Sequence, residues 1–167
     1  FDNVHIFAKV ENSNPTGSIK DRAVYNMLLD YKEKGMLKDN CLIVEATSGN
    51  TGIALAYFSK VMNYRAVIVM PKSVSIQRRE IISSYGGEVI LVDGGMKECN
   101  AKADEIIINN PGSFIFNQFK NIANPMAHYK TTGPEIYKDC KEVNYVFAGI
   151  GTGGTISGIG KYLKEVK

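Results

Sequence analysis

The 167-residue chain is 44% hydrophobic and 22% charged, with 20 basic and 17 acidic residues mixed along it for a formal net charge of +3; this is ordinary for a soluble globular protein with one good core, and with no basic block or stripe no nucleic-acid partner is expected. No run approaches the roughly 18 apolar residues of a membrane span, the start Phe1-Asp2-Asn3-Val4 does not read as a secretory leader, and a cytoplasmic protein without membrane contact is expected. Cys41, Cys99 and Cys140 are far apart and form no CxxC pair, so neither a disulfide framework nor a metal site is expected, and a reducing compartment fits.

In chain order, apolar runs of strand length fall at residues 4–10, 42–46, 66–70, 88–92, 114–116 and 145–148. Helical periodicity falls between them, at about 20–34, 50–62, 75–85, 96–109, 126–138 and from about 154 onward. In the first helix Ala23, Val24, Met27, Leu28 and Tyr31 share a face, Asp21, Asp30, Lys32 and Glu33 lie elsewhere, and Gly35 ends it. The second is apolar nearly all round from Ile53 to Val61, as befits a helix enclosed by protein. Continuous apolar strands such as 66–70 suit a sheet covered on both faces, and the alternation with helices predicts an α/β fold with a mainly parallel sheet.

In such sheets ligands gather where strands end and helices begin, because free N–H groups and the positive helix end point there. Three loops have that position. Gly149-Ile-Gly-Thr-Gly-Gly-Thr155 offers bare backbone and the hydroxyls of Thr152 and Thr155, which suits a phosphate. A plain glycine-rich turn and a GxGxxG dinucleotide loop remain alternatives, whereas a Walker loop is excluded because no Lys-Ser or Lys-Thr follows. Thr47-Ser-Gly-Asn-Thr-Gly52 gathers hydroxyls and an amide at the start of the enclosed helix, which suits a carboxylate or a phenolate-like oxygen, or else Ser48 or Asn50 simply caps that helix. In the stretch from Asn12 to Arg22, Asn14-Pro-Thr-Gly17 reads as a turn and Ser18 as a cap, and Lys20 then stands at a helix start. The dipole disfavours a cation there, by up to about 1 kcal/mol. A solvated surface lysine tolerates this; a lysine used as a free amine gains from it, because burial and positive potential favour the neutral nucleophile. Together a phosphate cradle, an oxygen-binding loop and a misplaced lysine are what pyridoxal phosphate requires.

Lys9-Val-Glu-Asn-Ser-Asn-Pro-Thr-Gly-Ser-Ile-Lys20-Asp-Arg22 resembles the Schiff-base lysine signature of the cysteine synthase and cystathionine β-synthase family. Residues 47–52 look like that family's asparagine loop and 151–155 like its phosphate loop; residues 70–79 and 117–136 agree as well, in the family's order. The resemblance implies a two-domain fold type II architecture like that of the tryptophan synthase β-subunit, only partly covered by this chain. The smaller domain would hold residues 22–120, and residues 1–21 and 121–167 would belong to the larger. Lys20 would carry pyridoxal 5'-phosphate and shuttle the α-proton, Asn50 would bind its phenolic oxygen, and Gly151, Thr152, Gly153, Gly154 and Thr155 its phosphate. Thr47, Ser48, Thr51 and Gln118 would bind the substrate carboxylate. The implied reaction is β-replacement, giving L-cysteine and acetate from O-acetyl-L-serine and sulfide. Cystathionine β-synthase or serine/threonine dehydratase chemistry, and a non-catalytic cofactor- or dinucleotide-binding fragment, are the alternatives.

Family members are usually homodimers, and some cysteine synthases bind serine acetyltransferase. They also continue beyond the phosphate loop and supply there the hydroxyl that faces the pyridine nitrogen. The stretch is therefore expected to be part of a longer enzyme and inactive alone. Gln77 stands where the family pattern has Glu. His128 is expected to be structural because no carboxylate partner accompanies it, His5 to lie in a strand, and Arg78 and Glu80 to form a solvated helix face.

Overall fold

Successive residues of a strand point to opposite faces, and in the run Leu42–Ala46 both faces are buried. The computed structural model describes residues 4–167. Its elements are α1 (Lys20–Glu33), β1 (Leu42–Ala46), α2 (Asn50–Val61), β2 (Arg65–Pro71), α3 (Ile76–Ser84), β3 (Glu88–Val92), α4 (Met96–Asn109), β4 (Phe114–Ile115), α5 (Ala123–Lys130), α6 (Thr132–Asp139) and α7 (Gly154–Val166). The four strands are parallel in the order β3-β2-β1-β4.

Strand parity divides the core in two. Ile43, Ala66, Ile68 and Met70 pack with Val24, Met27 and Leu28 of α1 and Leu55 of α2. Val44, Ala46, Val67 and Val69 pack with Cys99, Ala103 and Ile106, one stripe of α4. The sheet is thus covered on both faces, and each fully buried leucine such as Leu28 or Leu55 contributes about 2 kcal/mol. Gly52 lets α2 lie close: a Cβ there would stand 2.9 Å from Ile68 Cγ2 and 3.2 Å from Thr47 Cγ2. Because β1 and β4 are neighbours, the loops that leave their C-terminal ends, at Thr47 and Asn117, emerge side by side.

Three expectations are corrected. Residues 4–10 and 145–148 form no strand; Ile6 is 90% and Phe147 93% exposed, and a strand exists only where another chain segment accepts its backbone hydrogen bonds. His5 therefore lies in irregular, exposed chain. The helix expected at 126–138 begins earlier and is broken in two at Thr131, with φ −125° and ψ −68°. Proline is tolerated in a first helical turn but not in an interior; Pro125 and Pro134 each sit in the first turn of their own helix, α5 and α6. Among the described residues no helix is long and apolar enough to cross a membrane.

Candidate active site

The turn that delivers Lys20 is tied at several points. Asn14 Nδ2 donates to Glu11 Oε2 at 2.7 Å, Gly17 takes φ +81°, and the buried Asp21 carboxylate accepts the Thr16 N–H at 2.7 Å and also the Thr16 hydroxyl. Ile19, not Ser18, occupies the helix N-cap; Ser18 Oγ accepts the Lys20 N–H at 3.2 Å and so tightens the turn just before it. Arg22, one turn into nothing but carboxylates, donates to Glu11 and Glu135 through bonds of 2.7–3.0 Å. Lys20 is half-buried, and burial pushes its amine below the usual lysine range, with the charge of Glu45 pulling the other way. The shift is towards the neutral, nucleophilic amine.

At the start of α2 the N-cap is Gly49 and no side chain caps it, so neither Ser48 nor Asn50 has that role. Thr47 Oγ1 instead accepts the Gly49 N–H at 3.2 Å. Asn50 is exposed on the first turn, and the buried Thr51 hydroxyl donates to Gln118 Oε1 at 2.7 Å. Arg78 is no idle charge on a solvated face: its Nη1 donates to the Ser48 carbonyl at 2.6 Å and braces the loop from α3.

At the start of α7, Gly153 is left-handed at φ +79°, a conformation that glycine adopts without strain. Thr152 Oγ1 accepts from Asn124 Nδ2 at 3.0 Å and from the Gly154 N–H at 3.3 Å. Thr155 Oγ1 pairs with His128 Nε2 at 3.3 Å, and His128 Nδ1 with Thr132 Oγ1 at 3.0 Å. Burial, with the charges of Lys20 and Arg22, lowers His128 to about 4, so the ring is neutral near pH 7 and braces the loop as expected of a structural residue. A cavity of about 130 Å³ opens between Gln118, Asn124 and the Thr152–Gly154 backbone, well above the ~30 Å³ share of one water. Unpaired N–H groups of a helix start, two hydroxyls and this space fit a phosphate monoester, and a half-buried amine fits its aldehyde.

The loops are joined. Gln118 accepts from Thr51, its carbonyl accepts from Asn124 Nδ2 at 2.9 Å, and Asn124 reaches Thr152, so Thr51, Gln118 and Thr152 stand in one hydrogen-bonded chain. Thr155 belongs to a separate pair of contacts, through His128 to Thr132. Ser48 and Asn50 make no side-chain hydrogen bond to this chain among the described residues. The sequence reading missed Glu45. Its carboxylate is buried, accepts the Asn117 N–H at 2.9 Å and is held up at about 7 by loss of water. The available signal was an acidic residue inside an apolar strand.

The chain is 49% identical, over 166 residues, to a cysteine synthase of Buchnera aphidicola subsp. Schizaphis graminum, covering 97% of this chain and 52% of that one. It is 45% identical over 169 residues to cysteine synthase A of Escherichia coli K12, at 99% and 52% coverage. A hydrogen sulfide-producing enzyme from Fusobacterium nucleatum superposes with a TM-score of 0.92 at 48% identity, over 95% of this chain and 53% of that one. The chain thus spans about half the length of the relatives it matches, and the partial cover of a fold type II architecture expected from the sequence holds. With a match to the family model for "Pyridoxal-phosphate dependent enzyme" over residues 2–167, the chain belongs to that family.

Proposed function

We propose that the whole protein makes L-cysteine and acetate from O-acetyl-L-serine and sulfide, with Lys20 holding the cofactor. The observation that carries this reading is the hydrogen-bonded chain from Thr51 through Gln118 and Asn124 to Thr152, which sets a carboxylate-binding edge against a phosphate-binding edge. Bound pyridoxal phosphate supplies an electron sink for the carbon that loses its proton. Gly151, Thr152, Gly153, Gly154 and Thr155 hold the phosphate, and Asn50 the ring oxygen. Thr47, Ser48, Thr51 and Gln118 hold the substrate carboxylate. The α-proton passes to Lys20 Nζ, the bond from the β-carbon to the acetate oxygen breaks, the sulfide sulfur bonds to the β-carbon, and Lys20 returns the proton. The neutral amine favoured by burial is the form that can accept it.

The same reading assigns residues 22–120 to a smaller domain and 1–21 and 121–167 to a larger one, in support of which Ile6, Phe7, Tyr145 and Phe147 present apolar side chains that a larger domain would cover. A cytoplasmic homodimer, able to bind serine acetyltransferase, completes it. Release of sulfide from L-cysteine on the same site is a second reading, favoured by the likeness to the Fusobacterium nucleatum enzyme.

The test uses the full-length protein. It should be yellow, borohydride should fix the cofactor to the Lys20 peptide, and Lys20→Ala should abolish cysteine formation. A protein that ignores pyridoxal phosphate ends the proposal. Product analysis with O-acetylserine plus sulfide, with serine plus homocysteine, and with cysteine alone separates the reactions.

A further inference from the structure

Glu45 is the one acidic residue of β1 and is 4% exposed. By strand parity it shares the face of Ile43, which packs with α1, rather than that of Val44 and Ala46, which pack with α4. A carboxylate in such a place needs donors to replace its water. They come from a single turn. The Asn117 N–H reaches Oε2 at 2.9 Å, and Gln118, next in the same turn, pulls the carboxyl towards its ionised form. Lys20 and Tyr31, both of α1, are the titratable groups whose charges couple to it. Asn117 itself is left-handed, at φ +58°, a conformation uncommon outside glycine that an external hold makes worthwhile.

The Gln118 amide is seated by a neighbour from the second loop: its Oε1 accepts the Thr51 hydroxyl at 2.7 Å, which leaves the N–H₂ end free of that bond. We propose that Glu45 is a positioning residue for substrate recognition: by holding the Asn117–Gln118 turn through the Asn117 N–H it sets the Gln118 amide beside Thr51, where its N–H₂ can take the carboxylate of the amino-acid substrate. The inference rests on the reading that Gln118 binds that carboxylate.

The experiment varies O-acetyl-L-serine at saturating sulfide in the full-length holoprotein. Glu45→Ala should raise KM about tenfold, the equivalent of one hydrogen bond to a charged partner, with kcat within about threefold of the parent. Glu45→Gln keeps an oxygen for Asn117 but loses the charge that strengthens that bond, so KM should rise about threefold. The dissociation constant for L-serine, read from cofactor absorbance, should move by the same factors, which a merely looser fold would not produce. Added to Gln118→Ala, the Glu45→Ala change should do little more, because both act through one amide. A parental KM in Glu45→Ala beside a raised KM in Gln118→Ala, or fully additive effects, overturns the proposal and leaves the reading of Gln118 standing. A parental KM in Gln118→Ala overturns that reading and the proposal with it. Should Glu45→Ala not fold, a parental KM in Glu45→Gln is decisive against the proposal.

Discussion

Residues 42–46 and 145–148 look alike on paper. Each is a short apolar run that enters a loop of glycines and hydroxyls and then a helix, α2 or α7. Only the first is a strand. β1 has β2 on one side and β4 on the other, and its two faces meet α1 and α4. Residues 145–148 have no strand neighbour among the described residues, and Tyr145 and Phe147 stand 81% and 93% exposed. An apolar run therefore states what a segment would bury, whereas strand formation depends on what lies beside it.

The comparison breaks most plainly by deleting side chains. Ile43 is fully buried, so Ile43→Ala should cost about 2–5 kcal/mol of stability. Phe147→Ala, in the same 167-residue protein, should change stability by less than about 0.5 kcal/mol despite removing the larger group. Urea denaturation measures both. A comparable loss at Phe147 would mean that residues 145–148 are packed after all.

The same contrast explains what could be read ahead. The sheet strands and α1, α2, α4 and α7 followed from periodicity because each packs one stripe or two faces against neighbours close in sequence. The split at Thr131 was missed because Pro125 and Pro134 were not read as first-turn residues of separate helices. In the site, Lys20, Thr51, Thr152 and Thr155 stood out through the composition of their loops, and Gln118 only through the family resemblance. Arg78 did not, since a charge on a helix that reaches back to a carbonyl 30 residues earlier has no local signature. Glu45 could have been found, because a charge on an inward position of β1 conflicts with its surroundings and such conflicts gather at functional sites.

That charge gives the second prediction. Burial holds the Glu45 carboxyl at about 7, above its ordinary 4.5. The folded protein therefore keeps a proton that the unfolded chain has lost, and the stability this contributes is whole below pH 4.5 and disappears as pH rises to about 7. At about 1.4 kcal/mol per unit the loss is about 3 kcal/mol. Glu45→Gln should remove this slope: more stable than the parent by up to about 3 kcal/mol at pH values above 7, and equal to it in acid. Thermal melts across the range measure it. A parallel pair of curves would mean that folding leaves the Glu45 pKa where the unfolded chain has it. Combined with the KM effect, a substitution that stabilises β1 while weakening substrate binding would mark Glu45 as kept for the site rather than for the strand.

The smallest effect concerns how the irregular N-terminal stretch is held at all. Lys9 and Glu11 meet Arg22 of α1 and Glu135 of α6 in one ion cluster, with Lys9 Nζ 2.7 Å from Glu135. Arg22 holds the Glu135 carboxyl down at about 2, with burial opposing and Lys9 assisting. Here the sign is reversed: the contribution is present above pH 4.5 and is lost as pH falls towards 2. The Glu135 side chain is 40% exposed, so solvent screens the pair and Glu135→Gln should cost less than about 1 kcal/mol near pH 7. The cost should shrink further in high salt and vanish as pH falls through 2, where the Glu135 carboxyl also becomes neutral. Proteolysis near residues 4–10 should quicken in step, since the cluster ties that stretch to the helices and no sheet does. If the cost persists in acid, Glu135 acts through packing, and the stretch is anchored by contact rather than by charge.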